Sequence, residues 1–454
     1  MSFPNPSSPP LVSSSLSVDV AIVGGGPAGL MAADVLSQAG VSVHLFDAMP
    51  SVGRKFLLAG RGGLNLTHSE DAQAFRSRYG ERQQDVGHWL DQLDAQGVRD
   101  WAQGLGIETF VGSSGRVFPM EMKAAPLLRA WLQRLRHPAL GVPVQFHMRH
   151  RWAGWQEGAL VFEHTGQAAA LHVQARATVL ALGGASWPRL GSDGAWVPIL
   201  NAQGIAVNPL KPANCGFDVQ GRDGSGWTAH FRQKFAGHPL KSVAISVPSG
   251  PDGGGRPRFS RKGEFVVTDS GIEGSLVYAA SAWLRDDLLD HGQADVVIDL
   301  LPDKSMAQVL EAVRWPRGSR SLSSHLKSRL GLDGVKMGLL HELCSPQMLI
   351  QPESLAASIK NLQISLKAPR PVAEAISTAG GVALEGLSPG LMLSSHPGVY
   401  CAGEMLDWEA PTGGYLLTAC LASGKQVGQA VLQNIFKKLE FGVFRTSFSC
   451  VDDV

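Results

Sequence analysis

One stretch, Val18-Asp19-Val20-Ala21-Ile22-Val23-Gly24-Gly25-Gly26-Pro27-Ala28-Gly29-Leu30-Met31-Ala32-Ala33, limits what this chain can fold into more than any other. Its apolar, β-type start reads as a short buried strand, its glycines as a tight turn, and the residues after them as the first turns of a helix. Gly24, Gly26 and Gly29 fit the G-x-G-x-x-G pattern. Such glycines let a pyrophosphate approach backbone N–H groups of the turn, with Gly26, Pro27 and Ala28 as expected contacts, and the helix start adds roughly half a positive charge. The pattern alone is weak, but here a strand precedes it and a helix follows. A second strand, Val41-Ser42-Val43-His44-Leu45-Phe46-Asp47, ends in an acid about 20 residues on, as a dinucleotide site requires. Asp47 suits an unphosphorylated ribose, as in FAD or NAD, and disfavours NADP at this site. The predicted fold class is α/β, with a doubly wound, Rossmann-like domain.

With 454 residues, the chain has room for about three domains. Its net charge of +1 gives no support for a global polyanion-binding surface. No run of about 18 apolar residues is present, so no transmembrane helix and no membrane partner are expected. Residues 1–17 are rich in Ser and Pro, lack Lys and Arg, and read as a disordered tail rather than a signal peptide. The cysteines Cys215, Cys344, Cys401, Cys420 and Cys450 form no C-x-x-C pair. That argues against a disulfide redox centre and a close-spaced zinc site, and for a reduced, cytoplasmic setting. No metal site is expected.

After Asp47, the segment Ser51 to Ser69 gathers Gly53, Arg54, Lys55, Gly60, Arg61, Gly62 and Gly63 with few acids. It reads as a loop able to wrap phosphates with N–H groups and cations. The interleaved Phe56-Leu57-Leu58 and Leu64-Asn65-Leu66 indicate that it packs onto something. Residues 84–105 carry helical periodicity through Val86, Trp89, Leu90 and Leu93, and Ala124 to Arg136 reads as a helix with Pro126 in its first turn. Val142–Trp152, Ala159–His164 and Ala170–Ala175 suggest a small antiparallel sheet, on which His147, Arg149, His150 and Arg151 would form a solvated face. Ala177 to Gly184 is an apolar strand ending at Gly183-Gly184. The loop Ala185 to Gly194 then lies at the strand's carboxyl end, where ligands of α/β sheets bind, and Trp187 is placed either to cover an aromatic ligand or to pack between domains.

From about Asn201 the pattern changes to short β-like pieces: Val207–Leu210, Gly226–His230, Leu240–Val247, Gly263–Asp269 and Val296–Leu301. Residues 201–301 therefore read as an inserted antiparallel β-barrel-like domain, with Ser249–Gly255 flexible and Gly274–Asp290 helical. Residues 302–364 read as a helical subdomain, and 365–436 as the return of a discontinuous domain that begins at 18–200. Within the return, Ala375–Val382 is a turn-rich connection. Residues 437–454 read as a tail. Gly398-Val399-Tyr400-Cys401-Ala402-Gly403-Glu404 is a short strand ended by glycine and an acid. Pro411 to Gly424 then starts a small-residue helix through Gly413, Gly414, Tyr415 and Leu416. A carboxylate there can accept a ribityl hydroxyl, and the helix N–H groups can stabilise charge on a flavin, which narrows the dinucleotide to FAD. No second G-x-G-x-x-G follows a strand, so NAD(P)H would act as a transient donor without a domain of its own.

These pieces together make the sequence resemble the YhiN/BaiN-like flavoproteins. They are Val23 to Gly29, the Gly53-Arg54-Lys55 to Asn65-Leu66-Thr67 loop, Gly183-Gly184, Thr378-Ala379-Gly380-Gly381-Val382, and Ala402-Gly403-Glu404 to Gly413-Gly414-Tyr415. The Gly60-Arg61-Gly62-Gly63-Leu64-Asn65-Leu66-Thr67-His68-Ser69-Glu70 version is similar to a mainly bacterial subfamily. The resemblance covers about residues 18–435. It implies an FAD domain interrupted by a barrel and a helical insert. It also implies FAD contacts from the turn glycines, Asp47, Arg54, Lys55, Gly62, Asn65, Thr67, Gly183, Gly403, Glu404, Gly414, Tyr415 and Leu416. Two positions depart from the pattern: Leu64 stands where many relatives have Cys, and Leu416 where many have Asn.

The leading function is therefore an FAD-dependent reductase passing hydride between NAD(P)H and an unsaturated or carbonyl-like small molecule. Relatives of this kind are linked to conjugated enones and to uridine in ribosomal RNA. An RNA uridine reductase is thus an alternative, for which Arg256–Lys262 or Arg314–Lys327 could supply a local basic patch although the net charge does not favour it. A non-catalytic redox sensor is a third. His68 and Tyr415 are the candidate proton donors.

Overall fold

The structure is a computed structural model and describes residues 14–59, 62–166, 169–249 and 256–446. The chain forms two compact units. One takes in the chain up to Lys211 and again from Ala379, and the other is Pro212–Thr378.

The first unit is built on a parallel sheet. Strand β1 (Ser14–Val23) leads through the glycine turn into helix α1 (Pro27–Gln38) and then strand β2 (Val43–Asp47). Val20 pairs with Val43 on one side of β1 and with Ala177, in the strand Leu171–Leu180, on the other. Gln145–Met148 adds beyond β2, and Val399–Cys401 adds beyond Leu171–Leu180, all parallel. Val20, Ala21, Ile22 and Val23 are all buried, without alternation, because the sheet is covered on both faces. The helix starting at Tyr415 packs along α1 through small residues. A Cβ on Gly424 would collide with the Ala28 carbonyl, and one on Gly428 would sit 2.8 Å from Val35 Cβ.

The second unit is a closed six-stranded antiparallel barrel of Phe217–Val219, Gly271–Glu273, Phe259–Val267, Pro239–Val247, Ala294–Asp299 and Leu362–Pro369. Helix Ser275–His291 packs on it, and five helices between Met306 and Lys360 are inserted before its closing strand.

The architecture is thus α/β, a Rossmann-like sheet interrupted by an antiparallel barrel and helices. Several boundaries differ from the sequence reading. Ser14–Ser17, expected in a disordered tail, pair with Leu171–Gln174 as the start of β1. Residues 1–13 lie outside the described residues. Leu171–Leu180 is one strand serving three partners: its start pairs with Ala159–His164, which continues to His150–Gln156 in a meander, its end pairs with Val399–Cys401, and its whole length pairs with β1. Val142–Trp152 is broken at Arg149, whose φ of 62° turns the chain between Gln145–Met148 and His150–Gln156.

Residues 84–105 make two helices, Gln83–Leu90 and Ala95–Gln103, because the Asp94 side chain accepts from Gly97 N–H and starts a new helix. In the same way Thr228 caps Ala229–Phe235, a helix where a strand was expected. The helical insert ends before Leu362–Pro369, which closes the barrel, so the return to the first unit comes at Ala379 rather than residue 365. Ser377–Val382, read as turn-rich, is a fully buried strand paired with Val207–Ala213. The last helix runs to Thr446, well past residue 436. Gly60, Arg61, residues 250–255 and residues 447–454, with Cys450, lie outside the described residues. Among the described residues no helix is long and apolar enough to cross a membrane, and no group of three His, Cys, Asp or Glu side chains is placed to hold a metal.

Candidate cofactor-binding site

The parallel strands end along one edge, and an open cleft of about 670 Å³ lies there, inside the first unit. Gly24, Gly25, Gly26, Pro27 and Ala28 line its middle. Gly24 has φ +108°, and a Cβ there would strike the Ala181 carbonyl oxygen, so the turn admits only glycine. At Gly26, by contrast, nothing lies within 4 Å of where a Cβ would stand. Gly26 is also the N-cap of α1 without a side-chain cap, which leaves the helix start facing open space. Gly29 does not line the cleft; it lies against the Gly24 carbonyl and lets the helix close onto the turn.

Asp47 ends β2 at one side of the glycine turn. Its Oδ2 accepts from Gly25 N–H at 2.7 Å and its Oδ1 from Met49 N–H at 2.8 Å. Burial pushes its carboxyl up, with the two backbone hydrogen bonds and Arg54 opposing. Each oxygen keeps a further lone pair for a ligand hydroxyl.

The segment read as a phosphate-wrapping loop begins as a short helix, α2 (Arg54–Ala59). Phe56 is buried and anchors it, so Arg54 and Lys55 leave the helix in different directions. Arg54 donates to Ser51 Oγ at 3.3 Å, while its Nε is buried without a partner. Lys55 reaches the far side: its Nζ lies 2.6 Å from Ser186 Oγ and 2.7 Å from Glu404 Oε2. Glu404 follows Val399–Cys401 in a short turn with Gly403, whose φ of +81° and missing side chain let it sit against Ala28. Gly183 also lines the cleft, as do Leu190, Gly191 and Ser192. Ser192 is buried and its Oγ has no partner. Cys420 lines the wall, its thiol pushed up to about 12 by burial and by Glu404.

The cleft thus collects Gly24, Gly26, Pro27, Ala28, Asp47, Arg54, Lys55, Gly183, Gly403 and Glu404 from the predicted set. The remaining predicted residues do not line it. Gly62 is exposed. Asn65 is half-buried, with Oδ1 buried and unpartnered. Thr67 is fully buried, and its hydroxyl lies 2.9 Å from Thr418 Oγ1. Gly414 lies against the Thr67 backbone, Tyr415 is buried, and Leu416 packs on the core.

His68 accepts from Glu70 N–H through Nδ1 at 3.2 Å and meets Ser114 O through Nε2 at 3.1 Å, which assigns the proton to Nε2. Its ring stacks on Tyr415, whose hydroxyl faces Glu70 and Arg78 and is pushed upward by burial and by Glu70. His147, read as part of a solvated face, is half-buried, stacked on Phe46 and hydrogen-bonded to His44 at 3.0 Å. Arg149 and Arg151 are exposed, as expected of that face. Trp187 stands in the left-handed region with its ring about one-third exposed (36%), next to the buried Ser186.

Sequence reasoning missed Ser186, Ser192 and Cys420 as part of this region. The loop Ala185–Gly194 was recognised by its place after a strand, but no motif singles out which hydroxyl turns inward. The cleft residues fit a dinucleotide. The open cradle at Gly26 and the buried, unpartnered Arg54 Nε and Ser192 Oγ are what an anionic ligand would complete.

Relatives include the 3-dehydro-bile acid delta(4,6)-reductase of Clostridium scindens, 25% identical over 427 residues that cover 91% of this chain and 99% of that protein. The ribosomal RNA dihydrouridine synthase of Escherichia coli K12 is 23% identical over 412 residues, covering 87% and 94%. Among solved structures, the 3-ketosteroid-delta4-(5alpha)-dehydrogenase of Rhodococcus jostii RHA1 is 14% identical, with 94% of this chain and 99% of that chain covered and a TM-score of 0.46. The family described as HI0933-like protein Rossmann domain matches residues 18–430, nearly the whole chain, and the chain therefore belongs to that family.

Proposed function

We propose that this chain is an oxidoreductase that holds FAD along the cleft. In this reading it passes hydride from NAD(P)H to a carbon–carbon double bond conjugated with a carbonyl. The observation that carries the reading is the order of groups along the sheet edge. Asp47 follows β2, the glycine turn follows β1, Gly183 follows Leu171–Leu180, and Glu404 follows Val399–Cys401. An acceptor, an anion cradle and a second acceptor in that order match a sugar, a diphosphate and a polyol chain. A nicotinamide dinucleotide would not call for the distant Glu404 unit.

Asp47 takes the ribose hydroxyls. The turn N–H groups and Arg54 neutralise the diphosphate, with the α1 dipole adding to them. Glu404 accepts a ribityl hydroxyl. Bound FAD supplies a two-electron carrier that takes hydride from one partner and gives it to another. Asn65 Oδ1 and the start of the Tyr415 helix are reserved for the ring end. His68 and Tyr415 serve as scaffold in this reading: both imidazole nitrogens are engaged, and the phenol is buried against Glu70 and Arg78. The acceptor class is motivated by the two relatives, a 3-dehydro-bile acid delta(4,6)-reductase and a ribosomal RNA dihydrouridine synthase.

Anaerobic titration of the purified yellow protein with NADH and NADPH tests this. Bleaching of the flavin band followed by reoxidation with a conjugated enone supports it. A chain that holds no flavin, or whose flavin neither nucleotide reduces, refutes it. The relative acting on ribosomal RNA motivates a second reading, in which the acceptor is uridine. Equal dihydrouridine content in ribosomal RNA from deletion and parent strains would remove that reading.

A further inference from the structure

We infer that Lys55 is not a phosphate ligand but a positioning residue, which with Ser186 forms a preformed bridge that holds Glu404 at the ribityl end of the cleft. The inference rests on the FAD reading above and assigns a role within that site. Its first ground is topology. Along the sheet edge, Asp47 and Glu404 lie on opposite sides of the glycine turn, separated by the strands β1 and Leu171–Leu180. Helix α2 reaches both sides with adjacent residues. Arg54 turns to Ser51 on the Asp47 side, and Lys55 turns to Ser186 and Glu404 on the other.

The second ground is how far each cation is already satisfied. Lys55 Nζ donates to Ser186 Oγ at 2.6 Å and to both Glu404 oxygens, at 3.0 and 2.7 Å, which can occupy all three ammonium protons. Side-chain exposures of 28% for Lys55 and 13% for Glu404 leave this ion pair only partly open to solvent. Breaking it to reach a diphosphate would leave a half-buried carboxylate without its cation. Arg54 is the opposite case, since its Nε is buried and unpartnered beside the glycine turn.

The third ground is the backbone around Ser186. Ser186 is fully buried, and the next residue, Trp187, adopts φ 63°, a costly conformation for a bulky side chain. The loop carries that strain while its hydroxyl is turned inward to Lys55. The consequence is that Glu404 presents a fixed carboxylate edge, with its charge balanced, to a neutral hydroxyl.

Two ligands separate the roles. ADP carries the ribose and diphosphate but no polyol chain, whereas FAD carries all three. The full-length chain, freed of bound flavin, is titrated calorimetrically with each. Lys55→Met is expected to weaken FAD binding about tenfold while leaving ADP affinity within about twofold. Arg54→Met is expected to weaken both ligands. In a double-mutant cycle, Lys55→Met and Glu404→Gln together should cost FAD binding little more than either alone, because they remove one shared element. Retained ADP binding also shows that each variant is folded, and Ser186→Ala offers a milder second test with the same expected pattern.

A parallel loss of ADP and FAD affinity in Lys55→Met would overturn the inference and return Lys55 to the diphosphate. Unchanged FAD affinity, or additive losses in the cycle, would overturn it as well. An unmutated chain that binds ADP but not FAD would overturn the FAD reading itself, and the inference with it.

Discussion

Gly24 and Gly26 stand two residues apart in the same turn, yet they answer to different constraints. Gly24 is held at φ +108° against the Ala181 carbonyl, so its glycine is a requirement of the fold. Gly24→Ala combines a collision with left-handed strain of about 1–3 kcal/mol, and should lower the thermal midpoint and abolish flavin retention together. Gly26 has φ −80° and open space where a Cβ would go, so the fold does not require its glycine, and in the proposed reading the ligand does. Gly26→Ala should keep the midpoint of the ligand-free chain and still lose flavin, because the added methyl enters the cleft. Circular dichroism melts and flavin absorbance of the two variants check this contrast. His68 offers a second residue-scale test. If it is scaffold, His68→Gln should leave the maximal rate of the proposed reaction, assayed with a conjugated enone, within about threefold, well short of the 10²–10⁴-fold expected of a lost general acid.

Between elements, the contact of α1 with the Tyr415 helix depends on missing side chains. Gly424→Val would drive a branched side chain into the Ala28 backbone and should cost about 1–3 kcal/mol, read from urea unfolding. The contact between β2 and Gln145–Met148 has a different sensitivity. His44 and His147 share a hydrogen bond beside Phe46 and Phe162, and His147 also faces His150. Burial, then His44 and His150, press the His147 imidazole down to about 4, and burial lowers His44 against the pull of Asp19. Below about pH 6.5 the unfolded chain takes up protons that the folded chain refuses. Stability from these groups is therefore complete above that pH and falls as the pH drops towards about 4, where folded His147 also protonates. Urea midpoints should decline between neutral pH and about pH 5, and His147→Phe should flatten part of that decline.

At the scale of the whole molecule, the described residues contain two separate hydrophobic cores. One is built around Ile22, Leu36, Phe46, Trp131 and Val179, and the other around Phe217, Phe265, Leu284 and Ile298. The cofactor cleft draws only on the first unit. Differential scanning calorimetry of the flavin-free chain should resolve two transitions, and added FAD should raise only one. At a free concentration of about 100 times the dissociation constant, binding contributes about 2.7 kcal/mol to the unit that binds. A single transition that shifts as a whole would show that the two cores unfold cooperatively.

Local pattern in the sequence determined β1, the glycine turn, α1 and β2, as well as the helix Ala124–Arg136. It also revealed that a strand ending at Gly403-Glu404 belongs with them. These features are legible because a buried parallel strand, a glycine-only turn and an amphipathic helix each impose a short-range rule on residue type. The breaks at Arg149 and Asp94 were less visible, since one positive φ or one cap interrupts periodicity without changing composition. Leu171–Leu180 could not be read as one strand, because serving three partners is a property of its neighbours.

The inside of the cleft was decided only in three dimensions. Thr67 was expected to face the cofactor and instead meets Thr418, while Ser192 turns inward from a loop that no motif marks. Arg54 and Lys55 look interchangeable as letters. The fold separates them, because one turn of helix aims adjacent side chains apart, and only the folded sheet brings Glu404, 349 residues distant, within reach of Lys55. Residue type sets what each group can bind; burial and long-range packing set which partner it meets.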